Sequence, residues 1–567
     1  MTRAASRFAI AAACGGFLLG CSGGGGDTPL SEDDQLKAVI KEATAEKLAA
    51  DATLRTKLSA DGDTGEWTDV SDAARAEDLA RVEARLEELA AEIDADALSP
   101  DARVDYAIYK SSLEYEQLHA RALNEGSFLY GNLLEPAVDF ADILAASHGV
   151  KSRAQAENYI ERLRALPEVL DASLAAMSAR HEDGVVMMKS AYRQVANRAG
   201  AYASGAPCSG EGAHPLFAAF ETKLDASSIA DAEQEALTQE AAAALSDVVC
   251  PAYADYVDAV LKLGEAGRDQ AAWSLPEGEQ FYRDALELSL GERVDPSVIH
   301  QTGLEETKQI RERMRALMRE TGFEGDLDAF NAFLRDGGGG SLTNTEEGRA
   351  EYVRMAEEKI AEIYAMMPDY FSIVPETPVV VEVPATGPMG GPPSAGAFYG
   401  EAPADGSRPA YFYLGVGTAE RINTWPLAYT TFHEIAPGHH HQTETFRAYG
   451  GGEGYPRPFY PGYFDGWALY AEDLAREMGA YEGDIYSEIG WLQGQLTRSI
   501  RMVVDTGLNA ERWSEEEANA YQTANGASVE RLNRFLIWPG QGLSYYWGYL
   551  EFKRVREDAE ARLGDKF

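Results

Sequence analysis

Apolar and polar positions alternate along this chain with a helical period for most of its length. Leu79, Val82, Leu86 and Leu89 recur at spacings of 3, 4 and 3 among Arg, Glu and Ala, the stripe of an amphipathic helix. The same Ala/Leu/Glu texture covers 154–174 and 230–263, and helical text dominates from about Asp34 to Phe330. Pro and Gly punctuate it near Gly184, at 205–207 and at 210–215. No fixed-period repeat points to a solenoid. The glycines at 337–340 lack the Lys-Ser/Thr of a phosphate-binding loop and read as a hinge or connector. Between Pro375 and Gly417 the period changes. The β-branched and aromatic runs at 379–383 and 411–414, bounded by Pro and Gly, predict two short strands. The Pro/Gly-rich stretch 384–400 between them predicts a long irregular loop of the kind that lies across a cleft. Helical text resumes at Trp425 and runs to the C-terminus.

The first 26 residues follow a different rule. Arg3 and Arg7 form a basic n-region, and residues 8–19 form an apolar run too short to span a bilayer. The Leu-Leu-Gly-Cys ending at Cys21 resembles a bacterial lipobox, which implies a signal peptide over 1–20 and lipidation of Cys21. Residues 21–35 then read as a flexible tether. Ser22 after the cysteine implies, by the same resemblance, sorting to the periplasmic face of the outer membrane. No other run is long and apolar enough to cross a membrane, so membrane contact is expected through the N-terminal lipid alone. Loss of the signal peptide removes Cys14. Cys208 and Cys250 remain, either paired, as an oxidising envelope allows, or as two buried thiols. Neither reading assigns them to catalysis.

Composition narrows the function classes. The chain has 567 residues, 45% hydrophobic, which is enough for a large core. Its net charge is −43, from 93 acidic against 50 basic residues. Nucleic-acid binding needs clustered cations that displace counterions, so it is excluded as an expectation. A strongly acidic surface favours solubility, and a monomer or dimer is expected.

Candidate chemistry concentrates at 431–442, Thr-Phe-His-Glu-Ile-Ala-Pro-Gly-His-His-His-Gln. Four of the nine histidines fall between 433 and 441. In the zinc-peptidase motif H-E-x-x-H, histidines four apart on a helix lie about 40° apart around its axis and reach one metal. The glutamate beside the first histidine serves as base. Here His439 follows His433 by six positions and His440 by seven. On an ideal helix His440 would be nearly in phase. Pro437, however, cannot donate to the carbonyl of His433 and its ring clashes there, so the helix must bulge or break. Spacing alone leaves both His439 and His440 open as second ligand, and His441 reads as solvent-facing or supporting. An open zinc site needs a third protein ligand. Asp465 and Glu472, seven apart on one helix face, are the candidates.

Taken together these motifs resemble a large bacterial family of lipoproteins long known only as a domain of unknown function, marked by H-E-x-x-P-G-H-H. Phe398-Tyr399 and Pro403 to Pro409 match its Pro-rich stretch, and 465–472 match E-G-W-A-x-Y-x-E. Residues 501–509 match R-x-x-x-D-T-G-L-H, and 539–545 match P-G-Q-A-x-x-Y. The family is similar to helical zincins of the thimet-oligopeptidase and Taq-carboxypeptidase groups. That resemblance implies His433, His439 and residue 465 as ligands of Zn2+, with His440 and Glu472 as alternates. Two positions depart from the pattern: Asp465 stands where Glu is usual, and Asn509 where His is usual.

The expectation is therefore a mainly α protein, a large bilobed helical zincin-like body with a small β-sheet near the cleft. It divides into an N-terminal helical region at 36–275 and a catalytic region at 276–567. Glu434 is expected to take a proton from zinc-activated water and return it to a leaving amine of a peptide substrate. Tyr545, with Tyr546 second, would steady the developing oxyanion. Arg498 and Arg501, one turn apart, would bind a substrate carboxylate, with Tyr546 beside them. An Arg501–Asp505 ion pair is the structural alternative. A catalytically inactive peptide-binding lipoprotein and a metal hydrolase of non-peptide amides are the competing functions.

Overall fold

The computed structural model describes residues 30–58, 64–124, 136–384, 396–402, 409–449, 460–526 and 529–567. The expected signal peptide, Cys21, Pro403 and most of the loop expected over 384–400 lie outside them. Among the described residues the fold is mainly α with a small sheet. No helix there is long and apolar enough to cross a membrane.

Helices Glu32–Ala50, Asp72–Glu92 and Pro100–Asn124 close a small core of their own around Leu36, Ile40, Val82, Leu89 and Leu113. The predicted stripe at 79–89 supplies Val82 and Leu89 to it. A second, far larger core begins at Ala137 and runs without a break through Leu275 and Phe281 to Tyr549. Residues on both sides of position 275 share it. Cys208 and Cys250 form a disulfide, which ties the turn before helix Pro215–Asp225 to the start of helix Cys250–Gly264.

The site is framed by six helices: α1 (Pro296–Glu320), α2 (Leu427–Glu434), α3 (His439–Ala448), α4 (Pro461–Glu477), α5 (Ile485–Asn509) and α6 (Gln541–Leu563). Helices α4 and α6 meet almost backbone to backbone. A Cβ on Gly548 would sit 1.8 Å from the carbonyl oxygen of Gly462, and one on Gly466 would sit 2.7 Å from the backbone of Gly548. These glycines allow the approach that brings residue 465 and residue 545 to one cleft.

Among the described residues five strands flank the helices: β1 (Ser341–Thr343), β2 (Val379–Glu382), β3 (Ala397–Gly400), β4 (Ala410–Leu414) and β5 (Arg421–Asn423). The three-stranded sheet has the order β2-β4-β3, with β2 parallel and β3 antiparallel to β4. Val379 pairs with Ala410, and Phe398 with Tyr413. β1 pairs antiparallel with β5. In β4, Ala410, Phe412 and Leu414 are buried in alternation, so one face of the sheet closes the core. The predicted strands at 379–383 and 411–414 correspond to β2 and β4. The loop predicted over 384–400 is corrected at its end, where residues 397–400 pair with β4. Their Pro/Gly surroundings hide a pairing that only a distant strand provides.

Candidate metal centre

Helix α2 ends at Glu434 and α3 starts at His439, so the chain breaks between the two halves of the motif. Ile435 N–H still donates to Thr431, closing α2, and His441 N–H donates back to Ile435 across the break. The carbonyl of His433, freed by Pro437, lies so close that a Cβ on Gly438 would stand 1.8 Å from it. Only glycine fits there. The carbonyl of Pro437 accepts from Trp467 Nε1 at 3.0 Å, which pins the break to α4.

The three consecutive histidines open α3 and fan out by about 100° each. Only one can face His433, and that is His439. The two rings stand edge to face with centroids 4.9 Å apart, and Phe464 stacks on His439 at 4.0 Å. His440 is turned to the sheet: Nδ1 meets Tyr399 Oη at 3.1 Å and Nε2 meets the Thr377 carbonyl at 3.2 Å. With both nitrogens engaged there, His440 is not a ligand of this cluster. His441 is buried rather than solvent-facing, with Nε2 3.0 Å from the Ile373 carbonyl and its ring against Phe371.

The ligand atoms of His433, His439 and Asp465 all lie within 4.8 Å of one another. Asp465 Oδ1 is 3.6 Å from His439 Nε2. Two donors at zinc distances on one tetrahedron lie about 3.3–3.4 Å apart, so the shorter aspartate still reaches. Glu472, the alternate third ligand, is placed differently. Its Oε1 lies 2.9 Å from Nδ1 of His433, and it is fully buried on the far side of that ring. It orients His433 so that Nε2 is left for a metal, the carboxylate–histidine arrangement of many metal sites. The residues present therefore fit a zinc ion: two imidazoles, one carboxylate and a second carboxylate behind the first imidazole.

Burial sets the charge states. It drives His433 well below its usual pKa, helped by the positive charges of His439, Arg498 and Arg501. It drives Glu472 well above the carboxylate range. Burial also lowers His439, but Asp465 and Glu434 outweigh it and the net shift is upward. Glu434 is pushed up to about 7, chiefly by burial and further by Asp465, against the pull of His439, the Tyr399 N–H and Arg498. A carboxyl group that titrates near neutrality beside the ligand cluster has the pKa a proton shuttle needs.

These residues open into a cleft of about 790 Å³. Tyr545 lines it, with its ring nearly parallel to that of His433 at 6.4 Å and the guanidiniums of Arg501 and Arg534 at 5.4 and 5.6 Å from its centroid. Burial raises its pKa, so the phenol stays a donor. Tyr546 points the other way. It is buried, and its hydroxyl donates to Glu306 of α1 at 2.8 Å, so it is a packing residue and not a substrate contact. Arg501 lines the cleft, but one edge of its guanidinium, Nε and Nη2, is held by Glu530 at 2.7 Å, so that bidentate face is already taken. The expected Arg501–Asp505 pair is absent from the structure. Asp505 instead accepts from the Tyr282 hydroxyl and from Gly540 N–H, at the start of α6. Asn509 is equally remote from the cluster. Its side chain ties Ala272 N–H, the Asp505 carbonyl and the Phe535 carbonyl together.

Sequence reasoning missed Glu530, and it quoted Tyr399 as part of a motif without giving it a role. Glu530 sits in a stretch of sequence with no hydrophobic periodicity to mark it. Tyr399 N–H bonds Glu434 from a strand that local text disguises.

No curated protein matches this sequence. The chain is similar over its length to a crystal structure of a candidate lipoprotein from Colwellia psychrerythraea, at 25% identity and a TM-score of 0.79, covering 95% of each chain. A candidate lipoprotein of unknown function from Shewanella oneidensis shares the fold, at 16% identity and a TM-score of 0.69, again over 95% of each chain. A family model matches residues 52–567, which takes in the whole cleft and the larger core, and the chain therefore belongs to the family of bacterial proteins of unknown function, DUF885.

Proposed function

We propose that this protein is a zinc-dependent peptidase of the cell envelope, lipid-anchored through Cys21. The observation that carries the reading is the convergence of His433, His439 and Asp465 at the floor of a large cleft, with Glu434 beside them. Zinc bound by the three side chains would act as a Lewis acid on a peptide carbonyl and on water. Glu434, with a pKa of about 7, takes a proton from the attacking water and returns it to the leaving amine. Glu472 holds the His433 ring in its orientation. Tyr545, kept protonated by burial, offers its hydroxyl to the oxyanion that develops on the carbonyl.

The competing reading, an inactive peptide-binding lipoprotein, rests on the unusual residues at 465 and 509. Asp465 lies within reach of the cluster and Asn509 lies outside the cleft lining, which weakens both grounds. Elemental analysis of the purified protein tests the proposal. One zinc per chain, lost in His439→Ala, supports it, and hydrolysis must disappear in Glu434→Gln. A protein without stoichiometric zinc removes the proposal. Zinc without turnover of any peptide favours the binding protein, and turnover confined to non-peptide amides favours the third reading.

A further inference from the structure

The cleft runs against the charge of the chain that surrounds it. The protein carries a net charge of −43, yet Arg335, Arg421, Arg498, Arg501 and Arg534 all line the cleft. Of the carboxylates there, Asp465 belongs to the ligand cluster, Glu434 stands beside it, and Glu530 is taken by Arg501. Such a lining in an acidic protein focuses a positive potential where a substrate enters.

Within this set Arg498 is set apart by its position, since its charge acts on both His433 and Glu434. Arg534 donates to Gln541 Oε1 and reaches the Tyr545 hydroxyl. Arg498 lies with its guanidinium 5.8 Å from the centroid of the Tyr429 ring, and Nη1 donates only to the Gly494 carbonyl of its own helix, at 3.3 Å. Its Nε is buried with no acceptor. Among the described residues no carboxylate lies within ion-pair distance of it, although the charges of Glu472 and Glu530 act on it from farther off. The guanidinium is thus a charged fork with spare donors on the wall of the cleft, and its field reaches both His433 and Glu434. A planar fork of this kind matches a carboxylate in two parallel hydrogen bonds. Gln493, one turn before Thr497 on the same helix, adds a buried acceptor without a partner to the same lining, suited to a peptide N–H.

We infer that Arg498 determines specificity by receiving a carboxylate of the substrate, either a peptide C-terminus or an acidic side chain. That the ligand is a peptide rests on the function proposed above; that it carries a carboxylate does not.

Binding is measured on the zinc-loaded full chain carrying Glu434→Gln, so that no probe is consumed. Four labelled peptides of one neutral sequence serve as probes: free C-terminus, amidated C-terminus, amidated with one Glu, and amidated with one Lys. The expected result is binding at least tenfold tighter for the free-acid or the Glu peptide than for the neutral amide, and the tighter of the two names the source. Arg498→Met should erase that preference and Arg498→Lys should keep part of it. The same comparison on chelator-stripped protein separates binding on Arg498 from binding at the metal ligands. Equal binding of neutral and carboxylate peptides by the parent overturns the proposal, whatever the variants do. A preference that survives in Arg498→Met overturns it too. Loss of zinc in Arg498→Met, with no carboxylate preference in the parent, assigns Arg498 to balancing Glu472 instead. Carboxylate-dependent binding with no cleavage by the unaltered enzyme would end the peptidase reading and leave this one standing. Cleavage without carboxylate preference does the reverse.

Discussion

Replacing Glu472 by Gln separates a metal-supporting role from a merely structural one, because the two predict changes of opposite sign. Glu472 is completely buried, with Oε1 2.9 Å from Nδ1 of His433 and Oε2 without any hydrogen-bond partner. A buried carboxylate with one unpartnered oxygen is expensive to desolvate, and burial drives it toward its neutral form. The isosteric amide has no charged form to desolvate and changes the shape little. The metal-free protein should therefore be at least as stable as the parent. Metal binding should suffer, since the amide cannot raise the basicity of His433 as a carboxylate does. Loss of such a supporting partner typically weakens a metal site 10–100-fold, which is about 1.4–2.7 kcal/mol. The stabilisation that zinc confers on unfolding should shrink by the same amount at a fixed excess of zinc. The assay is competition with a zinc chelator of known affinity, paired with urea unfolding of the stripped and loaded forms. Unchanged zinc affinity together with a less stable metal-free protein would refute the reasoning and make Glu472 a structural residue.

Other substitutions follow from the same geometry. His439→Asn should abolish stoichiometric zinc, whereas His440→Asn should retain it, since His440 is bonded to Tyr399 and Thr377; elemental analysis showing the reverse order would reassign the second ligand. Asp505 has its pKa raised by burial to about 7, against about 3.9 in the unfolded chain. The folded state therefore holds a proton that the unfolded state has lost between those values, and stability falls as pH rises through that window. Asp505→Asn removes this contribution, so its urea midpoint should gain on that of the parent between pH 5 and pH 8; a gap that stays constant would contradict the assignment. Removing the Cys208–Cys250 disulfide, which spans 42 residues, should cost about 4 kcal/mol on the chain-entropy model, and an unchanged unfolding midpoint in the double Ser variant would deny it a stabilising role.

What could be read from the sequence divides along physical lines. The helices were legible wherever one face is apolar, as at Leu79 to Leu89, because burial enforces the period. His433 and Glu434 were legible because the motif places them next to each other on one helix. The choice between His439 and His440 was not. It depends on how Pro437 and Gly438 break the helix, and the answer came from the 100° fan of three successive histidines at the start of α3. Asp465 and Glu472 share a helix face, so spacing could name both. Only their distances to His439 and His433 assign one to the cluster and one behind it. Tyr545 and Tyr546 are neighbours in sequence with opposite destinations, a distinction made by how α6 is rotated against α1 and α5. Arg501 reads as free until Glu530, brought in from a segment without periodicity, closes on it. These are long-range pairings, and local pattern carries no record of them.

The central claim is that the cluster of His433, His439 and Asp465 holds a zinc ion with which Glu434 cleaves peptides. Its most direct test is mass spectrometry of a mixed peptide pool incubated with the purified protein, with and without a chelator, in parallel with Glu434→Gln. The account predicts defined cleavage products from the unaltered protein alone, lost on chelation, restored by added zinc and absent from Glu434→Gln. Products that persist after chelation or in Glu434→Gln, or a pool left intact by the zinc-loaded protein, would contradict it.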